Sequence, residues 1–116
     1  MKKNISKSPL ISVYITNYNY GNYLKKSINS VLGQSLQNFE LIIIDDNSND
    51  NSKRVLKNYL SNSKIIVIFN KKKIGLNQNN NLALKIAKGR FFIRLDADDW
   101  MHPNCLEILA SKLLND

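Results

Sequence analysis

The chain is predicted to fold as an α/β domain, a mostly parallel sheet with helices on both faces. Short runs of β-branched and aromatic residues alternate with segments of helical period along its length, the pattern of successive strand–helix–strand units. The strand runs do not alternate apolar with polar residues, as expected of strands covered on both faces. Three of the runs close in polar clusters, which puts chemistry at the carboxyl ends of the strands, where open α/β sheets bind ligands.

Leu10-Ile11-Ser12-Val13-Tyr14-Ile15 is the first strand, bounded by Pro9 and by Thr16-Asn17-Tyr18-Asn19. From Asn22, the residues Leu24, Ile28, Val31 and Leu32 recur at helical spacing, and Gly33 marks the stop. Phe39 to Ile44 is a second strand, closed by Asp45-Asp46-Asn47-Ser48. Ser48 or Asp50 then caps a helix carrying Val55, Leu56, Tyr59 and Leu60. Ile65 to Phe69 is the third strand, and after Gly75 a helix runs through Leu82, Leu84, Ile86 and Ala87 to Gly89. The fourth strand, Phe91-Phe92-Ile93-Arg94-Leu95, drives into Asp96-Ala97-Asp98-Asp99, and Pro103 opens a last helix through Leu106, Ile108, Leu109 and Leu113.

With 116 residues, 43% of them hydrophobic, and no linker or repeat, the chain is expected to be one globular domain, 1-116. A net charge of +8 favours anionic partners. Nucleic acid is the weakest of these, because no recognition module is present and Tyr and Lys are not interleaved on one predicted face. Lys71-Lys72-Lys73 reads first as a solvated turn, with a binding patch as the alternative. A single cysteine, Cys105, excludes an internal disulfide and a thiolate metal cage. The basic N-terminus lacks a following apolar h-region, and no apolar run approaches the roughly 18–20 residues that span a bilayer. A cytoplasmic protein is expected, with peripheral contact at the inner face of the membrane left open.

Asp96-Ala97-Asp98-Asp99 is the most informative segment. Carboxylates at the end of a buried strand repel one another and lose hydration, so such a cluster implies a cation; the alternative is a loop of solvated acids capping the next helix. An Asp-x-Asp pair offers hard oxygen ligands to Mg2+ or Mn2+, ions that also hold substrate phosphates. Thr16-Asn17-Tyr18-Asn19 and Asp45-Asp46-Asn47-Ser48 fall at the ends of other strands, bringing an aromatic ring, a carboxylate and an amide to the same rim. Such a rim can stack a base, accept a hydrogen bond from it and hold a diphosphate through a cation.

With these blocks in order, the chain resembles the family 2 glycosyltransferases, enzymes of the Rossmann-like GT-A fold that use nucleotide-sugar donors. The likeness runs from about Pro9 to Leu113. It rests on Ile11-Ser12-Val13 to Tyr18-Asn19, Tyr23-Leu24 through Gln34, Phe39-Glu40-Leu41, Asp45 to Ser48, Gly75, Gly89, and Leu95 to Trp100 followed by Pro103. The resemblance implies that Thr16 and Tyr18 contact or stack on the base, commonly uracil, and that Asp46 accepts its imide N–H. It implies that Asp96 faces the ribose or a metal-bound water and that Asp98 binds the metal, Mn2+ or Mg2+, with Asp99 orienting the loop. Trp100 and His102 are candidates to line the sugar pocket. One departure stands out: Asn80-Asn81 replaces the Arg-Asn pair usual in the family, whose Arg helps to hold the donor. Arg94 and Lys71–Lys73 are candidate substitutes.

Family chemistry implies inverting transfer from a UDP-sugar to a glycan or lipid-linked acceptor, in cell-surface polysaccharide or glycolipid synthesis. The general base of such enzymes lies in an acceptor half, and the sequence is expected to be a truncated, donor-binding half in which no catalytic residue can be named. Self-association, or a partner supplying the acceptor half, is expected on the same ground. A non-catalytic nucleotide-sugar-binding module, or a relic without transferase activity, is the alternative. A receiver-type signalling domain is excluded by order, since its acidic residues would follow the first and third strands, which here end in Thr16-Asn17 and Asn70-Lys71.

Overall fold

The computed structural model describes residues 8–115. These form β1 (Ile11–Asn17), α1 (Gly21–Leu32), β2 (Phe39–Asp45), α2 (Ser52–Lys57), β3 (Ile65–Phe69), α3 (Leu76–Ile86), β4 (Phe91–Asp96) and α4 (Cys105–Leu114). The strands pair in parallel in the order β3-β2-β1-β4. The chain thus winds outward from β1 to β3, then crosses back over the sheet to lay β4 on the free side of β1. That reversal is the topological switch, and it opens a crevice between the carboxyl ends of β1 and β4.

Handedness follows from the same order. Helices of right-handed crossovers that wind in opposite directions lie on opposite faces. In agreement, Leu24, Ile28 and Val31 of α1, Leu56 of α2 and Leu106 and Ala110 of α4 pack on Ile11, Val13, Ile15, Leu41 and Ile43. The other face, Tyr14, Ile42 and Ile44, is covered by α3 through Ala83, with Leu82 and Ile86 at the margin. Leu24, Ile28 and Val31 sit four and three residues apart, so the helix places them in one stripe. Each fully buried aliphatic side chain of this kind contributes about 1.5–3 kcal/mol of transfer free energy.

The α/β class, the parallel sheet, the helices on both faces and all eight elements agree with expectation. Several details differ. Every residue of β2 is buried, whereas β4 is an edge strand, half-buried along its apolar positions and exposed at Arg94 and Asp96. The acids after β4 therefore stand in solvent at the sheet margin, not at the end of a buried strand. Ser48 does not cap α2: the helix starts at Ser52, whose N–H donates to Asp50 Oδ1 at 2.9 Å. Leu60 lies beyond that short helix and is exposed. Pro103 precedes α4 by two residues, and its carbonyl accepts the Ser35 N–H at 2.8 Å, tying the approach of α4 to the end of α1. Gly89 lets the turn before β4 lie against β1: a Cβ there would collide with the Ser12 backbone, and the Gly89 N–H donates to Ser12 Oγ at 2.7 Å.

Candidate functional site

The rim is locked together by polar side chains that cross between strands. Asn17, the buried last residue of β1, donates from Nδ2 to Asp45 Oδ1 at 2.8 Å and to Ser48 Oγ at 3.2 Å, and its Oδ1 accepts the Tyr20 N–H. Asp45 Oδ1 also accepts the Ser48 hydroxyl at 2.7 Å, and its Oδ2 the Ser48 N–H at 3.0 Å. Asp45 and Ser48 thus shape the turn after β2. Asn19 and Asn47 take positive φ, 62° and 60°, a region that Asn tolerates better than most side chains. These bends fold both loops back over the strand ends.

Asp46 is buried beneath the rim, 3% exposed. Its Oδ1 accepts the Asn70 amide at 3.0 Å and the Ile74 N–H at 2.9 Å, and its Oδ2 accepts the Gly75 N–H at 3.0 Å. Burial by itself would raise its pKa, but the donors at Ile74, Asn70 and Gly75 outweigh it and hold the carboxyl below the ordinary aspartate value. Gly75 sits at φ 90° and begins α3. The carboxylate therefore clasps the start of α3 to the end of β2.

Above the switch point lies a cleft of about 560 Å3, lined by Thr16, Tyr18, Tyr20, Lys73, Leu76, Arg94, Asp96, Ala97 and Asp98. Thr16 and Asp96 are register partners across β1 and β4, so they stand side by side on one face. Arg94, two residues before Asp96 on that face, places Nη2 3.6 Å from Asp96 Oδ1. Lys73 Nζ lies 3.7 Å from the centroid of the half-exposed Tyr18 ring, a cation–π contact. Asp96, Asp98 and Asp99 are all exposed, and each offers an oxygen within 4.8 Å of the others. Three convergent carboxylates, without sulfur or imidazole, form a donor set that fits Mg2+ or Mn2+.

The structure brings Thr16, Tyr18, Asp96 and Asp98 into one cleft; Asp46 lies below it and does not line it. Asp99 joins the acidic cluster as well as bending the loop, where its N–H donates to the Asp96 carbonyl at 3.0 Å. Asn80 lies outside the lining, its buried Oδ1 without a partner among the described residues. Lys73 and Arg94 enter the cleft instead. Sequence signals existed for both, a basic run after β3 and a charge two residues before the acids, but neither fixes which side of the turn or strand faces the site. Tyr20 was not anticipated at all. Trp100 and His102 are exposed and outside this cleft.

Comparison with known proteins agrees with this arrangement. The hyaluronan synthase of Pasteurella multocida is 33% identical over 112 residues, 97% of this chain and 12% of that protein. An Escherichia coli enzyme, UDP-Glc:alpha-D-GlcNAc-diphosphoundecaprenol beta-1,3-glucosyltransferase WfgD, is 40% identical over 106 residues, 90% of this chain and 41% of its own length. The crystal structure of S. aureus TarS 1-349 in complex with UDP-GlcNAc superposes with a TM-score of 0.84 at 27% identity, covering 90% of this chain and 31% of TarS 1-349. The chain thus spans less than half the length of these relatives. Its α/β fold is that of the GT-A transferases, and residues 12–116 match the family described as Glycosyl transferase family 2. On this shared fold, and with its sequence matched over nearly its whole length, the chain belongs to glycosyl transferase family 2.

Proposed function

We propose that this chain binds the donor of an inverting glycosyltransferase, holding a UDP-sugar for transfer to a glycan or lipid-linked acceptor. The observation that carries the reading is the single cleft at the β1–β4 switch point, which joins an aromatic ring, two cationic side chains and a carboxylate cluster. Tyr18 and Thr16 meet the base, and Asp46, which clasps Asn70, Ile74 and Gly75, sets the turn that carries Lys73 into the cleft. Lys73 and Arg94 face the diphosphate and stand in for the Arg that Asn80 replaces. Asp96 and Asp98 hold a divalent cation, Mn2+ or Mg2+, which supplies neutralising charge to the leaving diphosphate.

In this reading the protein's residues bind and orient the donor, and the acceptor hydroxyl attacks the anomeric carbon from the face opposite the diphosphate. A base that removes its proton comes from an acceptor-binding region, in the same polypeptide or in a partner. The edge of β4 and the exposed Leu84, Ile108, Leu113 and Leu114 are surfaces for such a region or for self-association. The setting proposed is the cytoplasmic face of the membrane, in cell-surface polysaccharide or glycolipid synthesis. No helix among the described residues is long and apolar enough to cross a membrane.

Calorimetric titration of UDP, with and without Mn2+, on the wild-type chain and on Asp98→Ala tests this reading. Metal-dependent binding that disappears in Asp98→Ala is the expected result. UDP binding with equal affinity in both proteins, or none in either, overturns it.

A further inference from the structure

A second, open groove, of about 610 Å3, shares no lining residue with the donor cleft. Its walls are the outer side of α1, with Asn22, Lys25, Lys26, Asn29 and Ser30, and the exposed ring of Trp100. Trp100 is 56% exposed, and Lys26 Nζ stands 5.0 Å from its ring centroid. The loop that carries the ring is tied to α1, since the Met101 N–H donates to Ser30 Oγ at 2.9 Å.

The polarity of this groove is one-sided. Asn22 Oδ1 accepts the Asn51 amide at 3.2 Å, and Asn29 Oδ1 accepts the Tyr59 hydroxyl at 3.0 Å. Both amides thus spend their acceptors on neighbours and keep their NH2 donors. Ser30 Oγ donates to the Ser27 carbonyl at 2.7 Å besides accepting from Met101. No carboxylate lines the walls, and Lys25 and Lys26 have no ion-pair partner among the described residues. A ligand seated here must bring acceptors and negative charge, together with a flat apolar face for the indole.

We infer that this groove binds an anionic glycan, one sugar ring stacked on Trp100 and its carboxylate directed at Lys25 and Lys26. The two amide donors beside an exposed indole suit the hydroxyls and flat face of a sugar ring lying against an open groove. Trp100 follows Asp99 directly in the chain, so the groove's aromatic wall is one residue from the acidic cluster. In its role as an acceptor subsite the inference rests on the transferase reading above.

Trp100 is the chain's single tryptophan, so its fluorescence reports on the site alone. The probes are a hexasaccharide of alternating glucuronate and N-acetylglucosamine, a neutral N-acetylglucosamine hexasaccharide, and phosphatidylglycerol vesicles. Saturable change with the acidic hexasaccharide is expected, with the neutral one and a Lys25→Ala/Lys26→Ala double variant each roughly five- to tenfold weaker, the loss of exposed charge contacts. UDP–Mn2+ binding, measured on the same two proteins, is expected to be equal. Equal response to both sugars, no response, or vesicles that displace the acidic hexasaccharide overturn the inference. UDP binding without hexasaccharide binding removes this site and leaves the transferase reading intact. Hexasaccharide binding without UDP binding does the reverse.

Discussion

Two groups of aspartates stand on the same rim and do opposite things. Asp45 and Asp46 are buried, and their oxygens are occupied by Asn17, Ser48, Asn70, Ile74 and Gly75. Asp96, Asp98 and Asp99 are exposed and face one another, with the Arg94 guanidinium 3.6 Å from one oxygen of Asp96. The first pair stabilises loops, and the second group leaves carboxylate oxygens open to solvent, with only Asp96 meeting a cation among the described residues. The difference arises from strand position: β2 is interior and its end is roofed by neighbouring loops, whereas β4 is an edge. Residue type alone does not separate a structural acid from one available to a ligand; the partners of each oxygen do.

The sharpest way to break this contrast is Asp46→Ala. Removing the carboxylate orphans the N–H groups of Ile74 and Gly75 and the Asn70 amide, and a loss of about 3 kcal/mol in unfolding free energy is expected in urea titration. Stability unchanged to within about 0.5 kcal/mol would place Asp46 with the exposed acids. Asp98→Asn should do the converse. Its thermal midpoint stays at or slightly above that of the wild type, since like-charge repulsion falls, while Mn2+-dependent UDP affinity drops tenfold or more, about 1.4 kcal/mol. Lys73→Ala, which strips the cation from Tyr18, is expected to weaken UDP binding about three- to fivefold in calorimetry without altering the fold.

Acid sharpens the same contrast more gently. The folded Asp46 carboxyl titrates below its unfolded value, so its contribution is complete above the ordinary aspartate range and is lost as pH falls through the folded value. Thermal midpoints should decline below about pH 4 more steeply in the wild type than in Asp46→Ala. Parallel declines would assign the acid sensitivity to Asp50, whose carboxyl is also held below its ordinary value.

Much of this was legible in the chain. Apolar runs such as Phe39-Glu40-Leu41-Ile42-Ile43-Ile44 read as strands because burial on both faces suppresses alternation, and parallel pairing followed from the intervening helices. The ends of elements were less legible. Asn51 and Asp50 together start α2, a division of labour between neighbours that no single capping residue reveals. The exposure of β4 was hidden because sheet order, not composition, makes a strand an edge. Thr16, Tyr18, Asp96 and Asp98 line the cleft because they follow or end β1 and β4, a placement readable from the strand runs, whereas Lys73 arrives there only through a turn whose course is set by Asp46 holding Ile74 and Gly75. Asp46 sits below the lining for the same reason.

The pairing of β1 with β4 also dictates when the cleft can exist. Ile11 meets Phe91 and Thr16 meets Asp96, so the cleft's walls come from segments some eighty residues apart in the chain. Such contacts form only after a large loop has closed, and they make folding slow. On a ribosome, β1 to β3 can assemble early, but Thr16 gains its partner only once nearly all of the described chain has emerged. Until then the central strand carries an open edge, and a nascent chain that stalls before Phe91 presents a sticky sheet with no ligand site.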